Sequence, residues 1–164
     1  LLGGSMANKL IIKNSLEPQQ EVIDTAGGKT YTNFQTEQNT GNQGGTYEST
    51  FTDAKAIKYV GVVDQQSAAA LTDGNVAFKG TATTTGVEPS ASEVKAFYVK
   101  YDSTLGTVAS VTVTFDSQPH AVLSVGESVC IPLVSADLAK CKIHASAYQL
   151  DTHEATVTVV LIGD

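Results

Sequence analysis

The sequence predicts an all-β protein, an antiparallel β-sandwich of jelly-roll or Ig-like type with a polar N-terminal region. Three observations carry this expectation. Threonine, valine and serine number 20, 18 and 13 of 164 residues, and β-branched side chains, stiff at χ1, pack well on a pleated surface. Short runs of alternating apolar and polar residues recur at spacings of roughly 8–15 residues, with turn signals between them. No stretch sustains a helical period.

The elements follow in chain order. Leu1 to Ser5, ahead of Met6, read as a remnant of tag removal, which leaves residues 6–164 as a single domain. Lys9, Leu10, Ile11, Ile12 and Lys13 form an apolar run between lysines, a strand or an arm that pairs with a neighbour. Residues 21–24 (Glu-Val-Ile-Asp) make a second strand, closed by the turn signal Ala26-Gly27-Gly28. Residues 35–45 contain no apolar side chain and read as a mobile surface loop.

Residues 56–63 (Ala-Ile-Lys-Tyr-Val-Gly-Val-Val) are the next strand. Ala68-Ala69-Ala70-Leu71 suits one helical turn, because Ala and Leu are the best helix formers. Asp73-Gly74-Asn75 then turns the chain into a short strand over residues 76–80. The Thr/Ser/Gly/Pro-rich stretch that follows places the expected lobe boundary near residues 81–93.

The pattern then sharpens. Phe97, Val99 and Tyr101 share one strand face while Tyr98 and Lys100 take the other. Val111, Val113 and Phe115 alternate with Thr112 and Thr114. Residues 121–125 and 128–133 flank Gly126-Glu127 and suggest a hairpin. Pro132 cannot donate to a ladder, so its strand is expected at a sheet edge or to end there. Residues 140–145 and 155–162 complete the set. In the last strand Val160 and Ile162 occupy the same face as Thr156 and Thr158. That strand is therefore either central and covered on both sides, or docked through its outer face on another subunit.

Composition excludes several roles. The chain carries 17 acidic residues against 10 basic ones, all lysine, for a formal charge of −7. An acidic chain without arginine is poorly suited to phosphate backbones, so no nucleic-acid partner is expected. The apolar runs are too short to span a bilayer, so no membrane partner is expected. No segment reads as a secretory signal. Two cysteines do not make a disulfide scaffold.

No catalytic constellation emerges, and no cofactor or metal is expected. On a strand, Cys141 and His144 point to opposite faces and cannot share an ion. His120 and His153 stand apart from thiols, and Asp151 with Glu154 reads as a solvated turn pair. Cys130 and Cys141 are expected as free buried thiols. Gly28-Lys29-Thr30 resembles the end of a phosphate loop, but Ile23 occupies the position of the motif's first glycine. Ser124 lacks the preceding glycine of a nucleophile elbow. Six tyrosines without tryptophan could build a sugar-stacking platform, although core and rim packing explains them more simply.

The second half of the chain resembles the β-rich small virion proteins of tailed bacteriophages. The resemblance lies in an order of parts: the aromatic strand of residues 97–101, then residues 111–115, then Leu-Ser-Val-Gly-Glu-Ser-Val-Cys-Ile-Pro-Leu over 123–133. Residues 142–146 and the terminal run 156–164 follow. It implies a non-enzymatic head-decoration or other virion structural protein, located in the virion and assembled in the host cytoplasm. The implied partners are the major capsid protein or another virion protein and copies of the chain itself, a trimer being favoured. On this view Lys9, Leu10, Ile11, Ile12, Val160 and Ile162 are the candidate interface residues. The alternative is a carbohydrate-binding or adhesin-type sandwich module.

Overall fold

The computed structural model describes residues 8–16, 19–26, 29–36, 43–51, 53–64, 69–70, 77–108 and 110–164. The chain divides into two compact units, Lys9–Ser49 and a body that comprises Thr50–Asp164 together with Asn8. Residues 81–93 lie inside the body, and the division falls at Ser49–Thr50.

In the N-terminal unit, β1 (Asn8–Leu16) pairs with β4 (Gln43–Phe51). A separate antiparallel ladder joins β2 (Gln19–Ala26) to β3 (Lys29–Thr36), from Gln19 opposite Thr36 to Ala26 opposite Lys29. The strand expected over 21–24 is therefore present and longer. The loop expected over 35–45 is corrected at both ends, since residues 35–36 belong to β3 and 43–45 to β4. Polarity misleads here because a ladder satisfies backbone groups whatever the side chains, and Thr, Tyr and Phe over 30–34 favour extended backbone. Residues 1–5, 27–28, 37–42 and 71–76 lie outside the described residues, and with them the expected tag remnant, the Gly-Gly turn and the Asp73-Gly74-Asn75 turn.

The body contains two larger antiparallel sheets. The five-stranded sheet runs in the order β11 (Ser128–Ala136), β8 (Val94–Leu105), β13 (Glu154–Gly163), β5 (Lys55–Val62), β7 (Thr83–Gly86). The four-stranded sheet runs β10 (Gln118–Leu123), β9 (Val111–Phe115), β12 (Cys141–Ala145), β6 (Ala69–Ala70). One 3-10 turn, Leu138–Lys140, leads into β12. The all-β, antiparallel class expected from the composition is what the body displays.

Both sheets feed one hydrophobic cluster. Phe97, Val99 and Tyr101 of β8 and Val157, Val159 and Leu161 of β13 meet Val111 and Val113 of β9 and Cys141 and Ile143 of β12. Each alternates with a less buried neighbour, as period-2 geometry requires. Burying a side chain such as Leu161 is worth about 1.5–3 kcal/mol, so these few strands supply most of the favourable term. Tyr59 and Tyr101 reach the core because their hydroxyls find acceptors, Glu88 Oε2 at 2.5 Å and the Val108 carbonyl at 3.1 Å.

Four expectations change in three dimensions. Residues 121–125 and 128–133 are not a hairpin: β10 pairs with β9 in one sheet and β11 with β8 in the other. The turn between them is real, with Gly126 at φ 89° and the Ser124 N–H donating to Glu127 Oε2 at 2.7 Å. Instead of closing a hairpin it docks on β8, where Tyr101 N–H donates to the Glu127 carbonyl and Gly126 N–H to the Tyr101 carbonyl. The chain thereby switches sheets.

Ala69 and Ala70, expected in a helical turn, pair as β6 with Ile143 and Lys142. Two residues cannot nucleate a helix, and the open edge of β12 offers ladder bonds instead. Among the described residues 77–80 of the stretch expected over 76–80, Phe78 forms a bridge with Val63. The connector over 81–92 contributes β7, whose Thr83–Gly86 pairs with β5.

Pro132 falls on an edge strand, as its missing N–H demands, and the β11 ladder breaks its register between Pro132 and Ala136. The edge strand of the other sheet, β10, likewise holds Pro119, with a register shift between Pro119 and Ala121.

Candidate functional site

The two groups of expected interface residues fall in different units. In β1, Lys9 Nζ lies 2.6 Å from Glu48 Oε2, Leu10 and Ile12 are half-buried, and Ile11 is exposed. This run is a strand with a partner strand in its own chain. In the body, Val160 and Ile162 stand on the outer face of β13, the middle strand of the five-stranded sheet.

Register assigns their neighbours. Cys130, Tyr98, Val160, Lys58 and Thr85 form one row across all five strands. On one side lies a mostly polar row, Ser128, Lys100, Thr158, Val60 and Thr83. On the other lies a row without charge, Pro132, Ala96, Ile162 and Ala56. Tyr98, Val160, Ile162 and Val60 are half-buried and Ala96 is buried, while Ala56, Lys58, Ser128, Pro132 and the β7 threonines Thr83 and Thr85 are exposed. The face thus grades from apolar at Ile162 to polar at Thr158.

The polar end is tied down. Thr158 Oγ1 donates to Asp102 Oδ2 at 2.6 Å, and Lys100 Nζ lies 3.3 Å from Asp102 Oδ1. At the apolar end Lys95, the extra residue where β8 shifts register against Ile162 and Gly163, turns toward the last residue of β13's continuation. Its Nζ lies 2.7 Å from Asp164 Oδ2 and donates to the Thr50 carbonyl at 2.9 Å, with the Phe51 ring centroid 5.2 Å away. The Asp53 N–H donates to Asp164 Oδ1 at 3.1 Å.

The groups that might have carried chemistry are dispersed. Cys141 is buried on the inner face of β12 and its thiol is pushed up to about 12 by burial. Cys130 is half-buried on the outer row of β11, and burial raises its thiol too. Both are free, and they belong to different sheets. Neither burial favours a thiolate, the nucleophilic form.

Cys141 and His144 do occupy opposite faces of β12, the first buried and the second half-buried. His120 packs edge-on against Phe115, with ring centroids 6.0 Å apart, and His153 Nε2 lies 2.8 Å from Thr107 Oγ1. Among the described residues, no three His, Cys, Asp or Glu side chains gather as a metal cage. Nor is any described helix long and apolar enough to cross a membrane.

Tyr59 and Tyr101 are spent in the core and unavailable for stacking. Tyr148 lies beneath Lys79 Nζ, 5.2 Å from the ring centroid, and Tyr98 belongs to the outer row. These tyrosines do not share one surface.

Sequence reasoning assigned Val160, Ile162, Tyr98 and Lys100 to outward positions from alternation alone. It missed Lys58, Cys130 and Thr85, because strand order decides which residues become their lateral neighbours. Compared with protein-family models, with curated proteins and with solved structures, the chain matches none.

Proposed function

We propose that the chain is a non-enzymatic virion structural protein of a tailed phage, a capsid decoration or cement subunit that stabilises the head through oligomeric interfaces. Its body is read as an open sandwich of the five- and four-stranded sheets around their shared cluster. One observation carries the reading: on the outer face of the central strand β13, Val160 and Ile162 stand half-buried beside Tyr98, where a solvated strand would present charge. Such a face suits burial against protein.

The order of strands that resembles small phage virion proteins supports the same reading, and the trimer comes from that resemblance. Net negative charge suits the outside of a shell and would oppose contact with packaged DNA. The scarcity of long charged side chains reduces the entropy lost when surface becomes interface.

The test is sedimentation of the full chain, alone and with expanded heads that lack a decoration layer. A discrete oligomer that co-sediments with heads is expected. A strict monomer that never binds them overturns the reading.

A further inference from the structure

We propose that the body docks through one of its ends: Leu105, Val125 and Leu150 are apolar tips that enter an apolar hollow with a basic rim on the protein surface of the head. The inference rests on the proposed structural role and names the part of the chain that meets the shell.

Topology gathers the tips. The β8–β9, β10–β11 and β12–β13 connections all lie at the end of the body where β8 finishes and β13 begins. Register fixes this: Leu105 faces Glu154, Tyr101 N–H donates to the Glu127 carbonyl, and Ser146 N–H donates to the Ser110 carbonyl. Leu105, at the head of the first connection, is 49% exposed, Val125 in the second 49%, and Leu150 in the third 65%. The body's first residues are elsewhere. The Thr50 carbonyl and the Phe51 ring contact Lys95, at the opposite end of β8.

The three tips share a local geometry. Each precedes a residue of positive φ, Gly106 at 66°, Gly126 at 89° and Asp151 at 61°. A residue in that place occupies the bend of its turn, where turn chemistry favours polar side chains. Leucine or valine at three bends of one end is therefore not a requirement of the turns themselves.

The bends are also held in place. A Cβ at Gly106 would collide with the Thr152 carbonyl, and Thr107 Oγ1 lies 2.8 Å from His153 Nε2, so the Leu105 and Leu150 turns are tied together. Glu127 Oε2 accepts the Ser124 N–H at 2.7 Å, and Glu154 Oε1 accepts the Asp151 N–H at 3.0 Å. A surface already ordered gives up little conformational freedom on binding.

Charge selects the partner. Residues 102–110, 124–127 and 146–154 include Asp102, Glu127, Asp151 and Glu154 and no lysine. Against the same end of a second copy, carboxylates would meet carboxylates, and an anionic lipid surface would repel them in the same way. Apolar tips among acids suit an apolar hollow bordered by Lys or Arg on a different protein.

The experiment measures binding of the full-length chain to expanded heads that lack a decoration layer. Leu150→Ser is expected to bind about tenfold more weakly, and the triple variant Leu105→Ser, Val125→Ser, Leu150→Ser at least ~100-fold, as truncated anchors do. Val87→Ser and Val134→Ser, which alter exposed valines away from this end, bind as wild type. Raising salt from about 0.05 to 0.5 M weakens wild-type binding, because exposed charges are screened. Circular dichroism melts control for folding, and Leu150→Ser decides alone if the triple variant melts earlier.

Heads bound equally well without the tips, or an affinity that salt leaves unchanged, overturn this inference and leave the structural role standing. A native mass that falls when the tips are replaced does the same, by making the end a contact between copies. Tip-dependent binding to phosphatidylcholine vesicles also overturns it, by making the end a lipid anchor. A wild-type chain that binds no heads overturns both.

Discussion

Lys95 and Asp164 are joined at 2.7 Å, with only 13% and 20% of their side chains exposed. The pair fastens the bulge of β8 to the residue that follows β13, and the same carboxylate accepts the Asp53 N–H while the same ammonium donates to the Thr50 carbonyl. The contact spans 69 residues of sequence, beside the end of the β8–β13 ladder.

Removing one partner strands the other in a partly dry site. Asp164→Ala is expected to lower stability by about 2 kcal/mol, between an exposed pair and a fully buried one. Urea unfolding checks this, and Lys95→Met combined with Asp164→Ala should cost less than the sum of the two single changes. Full additivity would mean that the contact contributes nothing.

Gly163 has no room for a side chain. A Cβ there would lie 2.1 Å from the Glu93 carbonyl oxygen and 2.9 Å from Pro89 Cβ. Backbone cannot yield as a flexible side chain can, so Gly163→Ala is expected to destabilise by about 3 kcal/mol. A thermal midpoint within two degrees or so of wild type would contradict the crowding.

The β9–β10 turn holds Asp116 at φ 49° and Ser117 at φ 65°. Two successive positive φ values are the geometry of the hairpin turn that favours glycine at its second position. Ser117→Gly is expected to raise stability by about 0.5–1 kcal/mol, since relief of left-handed strain exceeds the added freedom of the unfolded chain. Asp116 is better left alone, because its carboxylate lies 3.5 Å from Lys140 Nζ. A lower midpoint for Ser117→Gly would refute the strain argument.

Cys141 provides a pH test. Its thiol ionises near 9.0 when unfolded and is pushed up to about 12 in the fold by burial. Between these values the folded chain binds more protons than the unfolded one, so this group makes stability fall as pH rises through that window. Cys141→Ala is expected to show a shallower loss of stability above pH 9 than wild type, while thiol reagents at pH 8 should label Cys130 well before Cys141. Equal slopes in the two proteins would show that the thiol does not titrate in this way.

Alternation made the strongest strands legible. β8 and β13 could be read with the correct inward residues because each buries one face in the shared cluster, and hydrophobicity records burial; in β9 Val111 and Val113 point inward as read, but Thr114, expected outward, is buried and Phe115 only partly so. Pro132 revealed an edge because a missing N–H has only a few tolerable locations. What escaped was decided by pairing alone. Thr83–Gly86 is a strand whose ladder owes little to apolar side chains, and Ala69-Ala70 yields its helical preference to an open neighbour. Gly126-Glu127 announced a turn but not that its arms belong to different sheets. For the candidate face the same limit applied: Val160 and Ile162 were visible one strand at a time, whereas Lys58 and Cys130 join them only through strand order.

Proline at the margins of both sheets has a consequence for how the protein behaves when it is made in quantity. Strand-by-strand growth into fibres needs a long run of open donors and acceptors, and Pro119 and Pro132 each remove one from the middle of such a run. Growth of one sheet onto the next copy's edge is thereby disfavoured at β10 and β11.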